Sequence, residues 1–294
     1  MAYNWGYTPP PEPVLRRLHL ADVPRAHALS QAVGWKHTAA DWERILIWGG
    51  RGCFCIARGD DLLATATSTP YGSDRAWIGM VLVHPDHRRQ GYGTRITQAV
   101  IEYLQARGVR RLLLDASELG RPLYEKMGFR ALYNVEIWEG RGSSYLGPRA
   151  RPMRPADLPA VVALDAAAFG VTRGRIIRRL VADFPDLAWV DEDSSGAVAG
   201  FVLAQANAAG QAHIGPWTHR SPWGAEKLLQ TALEALQGRP VRVDIPDLNA
   251  QATVFAHNHD LKYQRHCVRM ILGSAPEPNE DLRLTFGVCS LATG

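Results

Sequence analysis

His84-Pro85-Asp86-His87-Arg88-Arg89-Gln90-Gly91-Tyr92-Gly93-Thr94 is the loop around which this chain is organised. The apolar run Trp77–Val83 precedes it and predicts a buried strand. The segment Thr94–Leu104 follows it and predicts an amphipathic helix, because its apolar side chains recur on one helical face. The unit is therefore a strand, a glycine-containing loop and the start of a helix.

This loop carries the residue types that bind phosphate. The first N–H groups of a helix have no partner within it and lie at the positive end of its dipole, so they attract anions. Gly91 and Gly93 have no side chain to keep a phosphate away, and Arg88 and Arg89 can add charge-assisted hydrogen bonds. The alternative interpretation is a basic turn that binds no phosphate, in which the glycines only allow the backbone to turn tightly. The stretch lacks both the G-x-G-x-x-G dinucleotide pattern and the Gly-Lys-Ser/Thr of a Walker loop.

The order Arg-x-x-Gly-x-Gly, directly after Val-His-Pro and directly before a helix, resembles the acetyl-coenzyme A pyrophosphate loop of the GNAT superfamily of N-acetyltransferases. The resemblance implies acetyl-CoA as a co-substrate and no metal. In the family, backbone groups of the central strand grip the pantetheine arm and the thioester. The cofactor-binding residues that the resemblance implies are Val81, Leu82, Val83, Arg88, Arg89, Gln90, Gly91, Tyr92, Gly93, Thr94 and Ser117.

Composition narrows the class of protein. The 294 residues suffice for two domains of ordinary size, and a formal charge of +4 without a dense basic stripe argues against a nucleic-acid binder. Four scattered cysteines are too few for a disulfide scaffold, and Cys53-Phe-Cys55 is a weak metal signal for which a structural role is favoured. No apolar run approaches the ~20 residues of a membrane span, and no leader is evident. We therefore expect a cytoplasmic protein without a membrane partner.

The order of elements predicts an α/β fold with a mixed sheet and helices on both faces, which is also the order of GNAT domains. After a loop-like linker, Glu139–Arg149, the order repeats. Ala21-Asp22-Val23-Pro24 has a counterpart in Ala156-Asp157-Leu158-Pro159, each opening a helix. We therefore predict two tandem GNAT folds, a catalytic domain over residues 14–139 and a second domain over residues 150–290.

The second copy departs from the phosphate-loop pattern. Between its central strand and its long helix it reads Thr218-His219-Arg220-Ser221-Pro222-Trp223-Gly224, without Arg-x-x-Gly-x-Gly. Pro222 removes an N–H donor and Trp223 adds bulk where a phosphate would approach. The whole chain resembles GNAT proteins with an active N-terminal domain and a degenerate C-terminal acetyltransferase-like domain. We expect that the second copy does not bind coenzyme A.

Tyr124 matches the tyrosine that follows the second crossover in the family, and the resemblance implies that it is the general acid for the coenzyme A thiolate. The alternative is a half-buried aromatic residue on an amphipathic helix. Ser117 stands where many members have an asparagine. The general base stays open, because Ala76-Trp77-Ile78 holds no carboxylate where some members carry a glutamate. The candidates for this role are Asp115, Glu118, Glu136, His84 and a chain of water molecules.

The function that these features favour is acetyl-CoA-dependent N-acetyl transfer to a primary amine by direct attack in a ternary complex. The acceptor is an unidentified small molecule or peptide, and the protein is expected to be a monomer or a homodimer. The alternative function is a non-catalytic acyl-CoA-binding or regulatory protein, and a longer acyl group or a hydroxyl acceptor also stays open. Trp35, Trp42 and Trp48 are candidates for acceptor-pocket walls, with core packing as the alternative.

Overall fold

Helices and strands alternate along the chain in the computed structural model, which describes residues 11–207, 210–273 and 280–294. The chain divides into two units, the first formed by Met1–Pro70 and Ile78–Gly108 and the second by Tyr71–Trp77 and Val109–Gly294. Strand β4 (Arg75–Val83) contributes its first three residues to the second unit and the rest to the first.

The first unit contains a run of neighbouring strands with three helices. Its strands, in sheet order, are β1 (Val14–Arg17), β2 (Phe54–Arg58), β3 (Asp61–Tyr71, of which Tyr71 belongs to the second unit) and the Ile78–Val83 part of β4. Its helices are α1 (Val23–Ala32), α2 (Ala39–Gly49) and α3 (Tyr92–Gln105). The strand β2 pairs antiparallel with both β1 and β3.

Local sequence explains where these helices begin and what they bury. Helix α2 opens on a capping box, in which Thr38 Oγ1 accepts a hydrogen bond from the Asp41 N–H at 3.2 Å and Asp41 Oδ2 accepts one from the Thr38 N–H at 2.7 Å. Helix α3 buries the apolar stripe that the sequence predicts, with Ile96, Val100 and Leu104 fully enclosed. It begins at Tyr92 rather than at Thr94, because Gly91 serves as its N-cap.

The second unit contains the remaining strands and helices. Its strands are β5 (Arg111–Ala116), β6 (Arg130–Arg141), β7 (Arg151–Pro152), β8 (Ala188–Glu192), β9 (Val198–Ala206), β10 (Ala212–His219), β11 (Pro240–Pro246), β12 (Lys262–Gly273) and β13 (Thr285–Gly287). Its helices are α4 (Arg121–Lys126), α5 (Leu158–Phe169), α6 (Gly174–Asp183), α7 (Pro222–Ala235) and α8 (Ala250–Asn258). The strands run in the order β5-β12-β6-β11-β10-β9-β8-β7, so the predicted mixed α/β fold is confirmed.

The order of these strands shows an exchange between the two halves of the sequence. The long strand β12 of the C-terminal half lies between β5 and β6 of the N-terminal half and pairs antiparallel with both. In turn, β6 pairs antiparallel with β11. The strand β6 also extends to Arg141, so the first three residues of the predicted linker 139–149 are strand. The domain boundaries at 139 and 150 stay a prediction.

A short strand near the end of the chain, β13, lies outside the elements that the sequence predicts. It pairs antiparallel with β10 at Trp217 and Thr218. On either side of it, the His219 N–H donates to the Leu284 carbonyl at 3.0 Å and the Val288 N–H donates to the Asp244 carbonyl at 2.9 Å. The segment 284–288 therefore bonds to both β10 and β11, beyond the point where the parallel ladder between those two strands ends at Ile214.

Candidate functional site

The loop after β4 has the geometry of a helix start that is open to an anion. The chain leaves β4 at Val83, forms a 3-10 turn over Pro85–His87 and enters α3 at Tyr92. His84 supports the turn, since its Nδ1 accepts a hydrogen bond from the Asp86 N–H at 3.3 Å. This contact gives His84 a structural role in the turn. Gly91 has a φ of +79°, a left-handed conformation that glycine adopts without strain.

Several backbone N–H groups of this loop are available to a ligand. Within the described residues, the N–H groups from Arg89 to Thr94 have no hydrogen-bond acceptor, and the first bond into the helix runs from the Arg95 N–H to the Gly91 carbonyl at 3.0 Å. The side chains of Arg88 and Arg89 are exposed, and no ion pair holds them in the part of the chain described. The loop thus offers a row of donors and two cations at the positive end of a helix dipole.

The strand before the loop is irregular at Met80. Met80 has a φ of +48°, which is rare for a residue with a side chain, and its carbonyl accepts a hydrogen bond from Thr65 Oγ1 at 2.9 Å. Leu82 is buried, whereas Val81 and Val83 are half-buried. In the second unit, the parallel ladder between β4 and β5 covers residues 75–77 of β4 only.

Ser117 and Tyr124 belong to the second unit, whereas the predicted residues 81–94 belong to the first. Ser117 Oγ accepts a hydrogen bond from the Gly120 N–H at 3.2 Å, at the turn that leads into α4. Tyr124 is 7% exposed, and its ring packs edge-on against Phe129 at 5.9 Å. Its hydroxyl has no hydrogen-bond partner in the described ranges, and burial raises the pKa of that phenol well above its usual value.

The three carboxylates that the sequence leaves as candidates for the general base differ in burial and in hydrogen-bond partners. The Asp115 side chain is fully buried, and Arg269 contacts both of its oxygens, Nε at 3.0 Å and Nη2 at 3.1 Å. Glu118 is exposed, and Glu136 Oε2 accepts a hydrogen bond from Trp138 Nε1 at 3.0 Å. Asp115 is therefore engaged in a buried ion pair and is not available as a base.

The three tryptophans that are candidates for acceptor-pocket walls differ in burial. Trp42 is fully buried and its indole N–H donates to Ser30 Oγ at 3.3 Å, which is core packing. Trp48 is buried as well, and Trp35 remains partly exposed.

A buried group of charged and aromatic side chains, which sequence reasoning missed, surrounds the start of β4. We call Arg75, Trp77, Tyr133, Arg269 and Glu280 the Glu280 cluster. The Tyr133 hydroxyl donates to Glu280 Oε2 at 2.7 Å and accepts from Arg269 Nη1 at 2.8 Å. Arg75 Nη1 lies 3.3 Å from Glu280 Oε1, and the Arg269 guanidinium lies 4.4 Å from the centre of the Trp77 ring. Sequence gives no signal for this cluster, because 205 positions separate Arg75 from Glu280.

In the second copy, a side chain of the turn between β10 and α7 fills the space at the start of the helix. His219 is 3% exposed, its Nε2 lies 3.1 Å from Asp191 Oδ2, and its Nδ1 accepts a hydrogen bond from the Ser221 N–H at 2.8 Å. A Cβ added at Gly224 would lie only 2.1 Å from His219 Nε2. Burial, partly offset by Asp191, lowers the pKa of His219. The imidazole thus occupies the space at the start of α7.

The four cysteine side chains are buried in this structure. Burial raises the pKa of Cys53 and of Cys55 to about 11, so both thiols are protonated at neutral pH. Across the described ranges, no group of three His, Cys, Asp or Glu side chains is arranged to hold a metal ion. In the same ranges no helix combines the length and the apolar character that crossing a bilayer requires.

Family profiles match both halves of the chain. A profile described as the acetyltransferase (GNAT) family matches residues 22–129, which include the phosphate-type loop and Tyr124. A profile described as an acetyltransferase (GNAT) domain matches residues 161–285.

Individual relatives span most of the chain. The mycothiol acetyltransferase of Kineococcus radiotolerans is 30% identical over 265 residues, covering 82% of this chain and 88% of the relative. The uncharacterized N-acetyltransferase YitH of Bacillus subtilis is 25% identical over 236 residues, covering 79% of this chain and 82% of the relative.

Solved structures show the same fold. An acetyltransferase structure from Pyrococcus horikoshii superposes with a TM-score of 0.81 at 23% identity, over 100% of this chain and 99% of that one. A tandem GNAT protein from the clavulanic acid biosynthesis pathway superposes with a TM-score of 0.63 at 15% identity, over 90% of this chain and 100% of that one. The two profile matches and the mycothiol acetyltransferase relative establish that the chain belongs to the GNAT acetyltransferase family, with one GNAT domain in each half.

Proposed function

We propose that the chain is an acetyl-CoA-dependent N-acetyltransferase that moves the acetyl group to a primary amine by direct attack in a ternary complex. The observation that carries this proposal is the row of unpaired N–H groups from Arg89 to Thr94 at the start of α3, beside the exposed side chains of Arg88 and Arg89. These N–H groups need acceptor oxygens, and the two arginines attract negative charge. A pyrophosphate supplies both. The residues present therefore fit this part of acetyl-CoA.

The remaining cofactor contacts follow the family pattern. Backbone groups of Val81, Leu82 and Val83 would hold the pantetheine arm, and acetyl-CoA supplies the activated thioester carbonyl when it is bound. Ser117 would contact the pantetheine while its hydroxyl also caps the turn before α4. Gln90, Tyr92, Gly93 and Thr94 complete the loop.

Tyr124 is the proposed general acid. Its hydroxyl has no competing hydrogen-bond partner within the described residues, so it is available to a ligand. Because burial raises the pKa of the phenol well above its usual value, the hydroxyl stays protonated at neutral pH and donates to the departing sulfur. The departing thiolate, whose thiol has a pKa of about 8.5, is a weaker base than the phenolate, so it accepts this hydrogen bond as the carbon–sulfur bond breaks and takes the proton only transiently.

The second copy is proposed to bind no coenzyme A. His219 fills the start of α7, and Pro222 removes a donor there. The segment 284–288 bonds to β10 and β11, the strands that correspond to β4 and β5. We therefore propose one acetyl-CoA site per chain, and an amine acceptor of small-molecule or peptide type.

Thermal unfolding tests the cofactor site first. A ligand at about 100 times its dissociation constant adds about 2.7 kcal/mol to the free energy of unfolding, which raises the midpoint by several degrees. We expect this rise with acetyl-CoA and with coenzyme A but not with NADH. The double variant Arg88→Ala/Gly91→Ala should lose the rise, whereas Arg51→Ala, which removes an exposed arginine elsewhere in the first unit, should keep it.

Turnover then separates the enzyme from a non-catalytic acyl-CoA-binding protein. Coenzyme A thiol release is measured with a panel of primary amines, namely spermidine, tyramine, glucosamine and lysine methyl ester. Unchanged affinity in Arg88→Ala/Gly91→Ala would overturn the loop assignment. Binding without turnover of any amine would favour the non-catalytic alternative.

A further inference from the structure

We propose that Arg17 and Arg107, which lie around the ring of Tyr103, form a binding site for a phosphate group. The site is separate from the loop after β4 and does not depend on the proposed acetyl transfer. Arg17 is the last residue of β1, Tyr103 lies in the last turn of α3, and Arg107 follows that helix. All three residues belong to the first unit.

Aromatic rings hold the two guanidinium groups in place. The central guanidinium carbon (Cζ) of Arg17 lies 4.9 Å from the centre of the Phe54 ring and 5.0 Å from the centre of the Tyr103 ring. The Cζ atom of Arg107 lies 3.8 Å from the centre of the same tyrosine ring. These are distances of cation–π contacts, and because two of them end at one ring, the two Cζ atoms lie within about 9 Å of each other.

Neither guanidinium group has an anionic partner among the described residues. The side chains of Arg17 and Arg107 form no ion pair and donate no hydrogen bond in that part of the chain. The neighbouring Arg16, by contrast, is held by Asp22 through two hydrogen bonds of 2.8 Å. The C-terminal end of a helix dipole carries about half a negative charge, which offsets only part of the charge of Arg107. The two arginines therefore leave more than one positive charge uncompensated.

Two enclosed polar atoms near the Tyr103 ring lack hydrogen-bond partners within the described residues. They are Nη1 of Arg17 and Oγ of Ser68, a residue that is 0% exposed. Ser68 borders the ring, because a Cβ added at Gly52 would lie 2.0 Å from Ser68 Oγ and 2.8 Å from Tyr103 Cε1. Buried polar groups are normally hydrogen-bonded. The oxygens of an anion bound at Arg17 would supply the missing acceptor.

Part of this site is open to solvent. The Arg107 side chain is exposed, and those of Arg17, Phe54 and Tyr103 are half-buried. The hydroxyl of Tyr103 has no hydrogen-bond partner in the described ranges, so it is available as a further donor. Arg25 in the same unit differs, because a carboxylate at 2.6 Å already occupies its guanidinium. The site thus combines unoccupied cations with an aromatic support.

The charge and the spacing of the two arginines favour phosphate over a carboxylate. A phosphomonoester carries a charge of about −1.5 to −2 at pH 7 and has three strong acceptor oxygens, so it can bind two guanidinium groups at once. A carboxylate has a single charge and two oxygens in one plane, which one arginine satisfies. The ligand class is therefore inorganic phosphate or the phosphate group of a small phosphomonoester.

The loop after β4 is too far away to share this phosphate. Helix α3 begins at Tyr92, and at 1.5 Å per residue Tyr103 lies about 16 Å further along the helix axis. One phosphate group cannot contact both places. The variant Arg88→Ala/Gly91→Ala removes a cation and alters the backbone of the loop, but it leaves the surroundings of Tyr103 unchanged. This variant therefore isolates the second site.

The test is a calorimetric titration of Arg88→Ala/Gly91→Ala with inorganic phosphate, at an ionic strength held constant with potassium chloride so that screening is equal throughout. We expect saturable binding with a dissociation constant of about 1 mM or lower. Adding Arg17→Gln or Arg107→Gln should weaken binding about tenfold or more, because a charge-assisted hydrogen bond is lost. The matched control Arg25→Gln should stay within twofold. In a second arm, glycerol 3-phosphate that binds more tightly than inorganic phosphate assigns the site to a phosphomonoester, and weaker binding assigns it to free phosphate.

Three results would overturn the inference. The first is the absence of saturable phosphate binding in the loop variant, and the second is an affinity that Arg17→Gln and Arg107→Gln leave unchanged. The third is an equal loss in Arg25→Gln, which would show a general effect of charge. Should Arg17→Gln fail to fold, Arg107→Gln decides, because that exposed side chain has no described hydrogen bond to lose. Thiol release is not measured here, so failure of the proposed enzyme function would leave this site standing.

Discussion

Breaking the buried ion pair between Asp115 and Arg269 should greatly lower the free energy of unfolding. Removing both charges together should restore most of it. The two side chains are 0% and 2% exposed, and two hydrogen bonds of 3.0 and 3.1 Å join them. Burial alone would lower the pKa of Arg269, but the charge of Asp115 raises it above its usual value, so the guanidinium stays charged. Asp115→Asn therefore leaves a buried positive charge without its partner.

The expected cost follows from that geometry. Removing one partner of a buried ion pair costs about 3–5 kcal/mol, because the remaining charge is poorly solvated. With a shift of about 2–4 °C per kcal/mol for a chain of this size class, the unfolding midpoint should fall by about 6–20 °C. In Asp115→Asn/Arg269→Met both charges are absent, and methionine can still cover the Trp77 ring. The double variant should regain most of the lost free energy of unfolding.

Urea unfolding of the wild type, both single variants and the double variant measures the coupling. Tryptophan fluorescence and far-UV circular dichroism are recorded together, because coincident transitions are needed before a free energy of unfolding is assigned. A cost of less than about 1 kcal/mol for Asp115→Asn would contradict a buried charge left without its partner. A double variant as unstable as Asp115→Asn would contradict it as well.

Two further predictions concern the acid and the second copy. Tyr124→Phe should lower turnover by about 10²-fold or more while acetyl-CoA affinity and stability stay unchanged, because the hydroxyl has no partner to lose in the described ranges; wild-type thiol release would remove Tyr124 as the acid. Because burial keeps the pKa of His219 below that of the unfolded chain, unfolding takes up a proton as the pH falls below about 6.5. The stability of the wild type relative to His219→Gln should therefore drop by up to about 1.4 kcal/mol per pH unit between pH 7.5 and 5.5, and equal urea midpoint differences at both pH values would contradict this.

Elements with strong local signals were predictable from sequence. The loop and α3 follow from the apolar period and from Gly91, and the error at the start of α3 is two residues. The repeat of the fold was predictable for the same reason, since Asp22 and Asp157 each precede a helix with proline in its first turn. Short-range periodicity and capping residues are sufficient to locate such elements.

Pairings between distant segments were not predictable from the same information. The apolar run in β12 would be the same beside any neighbour, so it does not reveal that β12 lies between β5 and β6. The strand β13 has only three residues, too few for a period to be recognised. The Glu280 cluster depends on both of these features, because its members come from β4, β6, β12 and the segment that leads into β13.

The exchange of β6 and β12 makes the two halves of the gene product mutually dependent for folding. A fragment that ends in the linker would have β5 without its antiparallel neighbour, and the complementary fragment would have β11 with an open edge. Such edges are templates for pairing with another chain. The linker is therefore a poor place for truncation, and two separately produced fragments are expected to recover the native sheet when they are mixed.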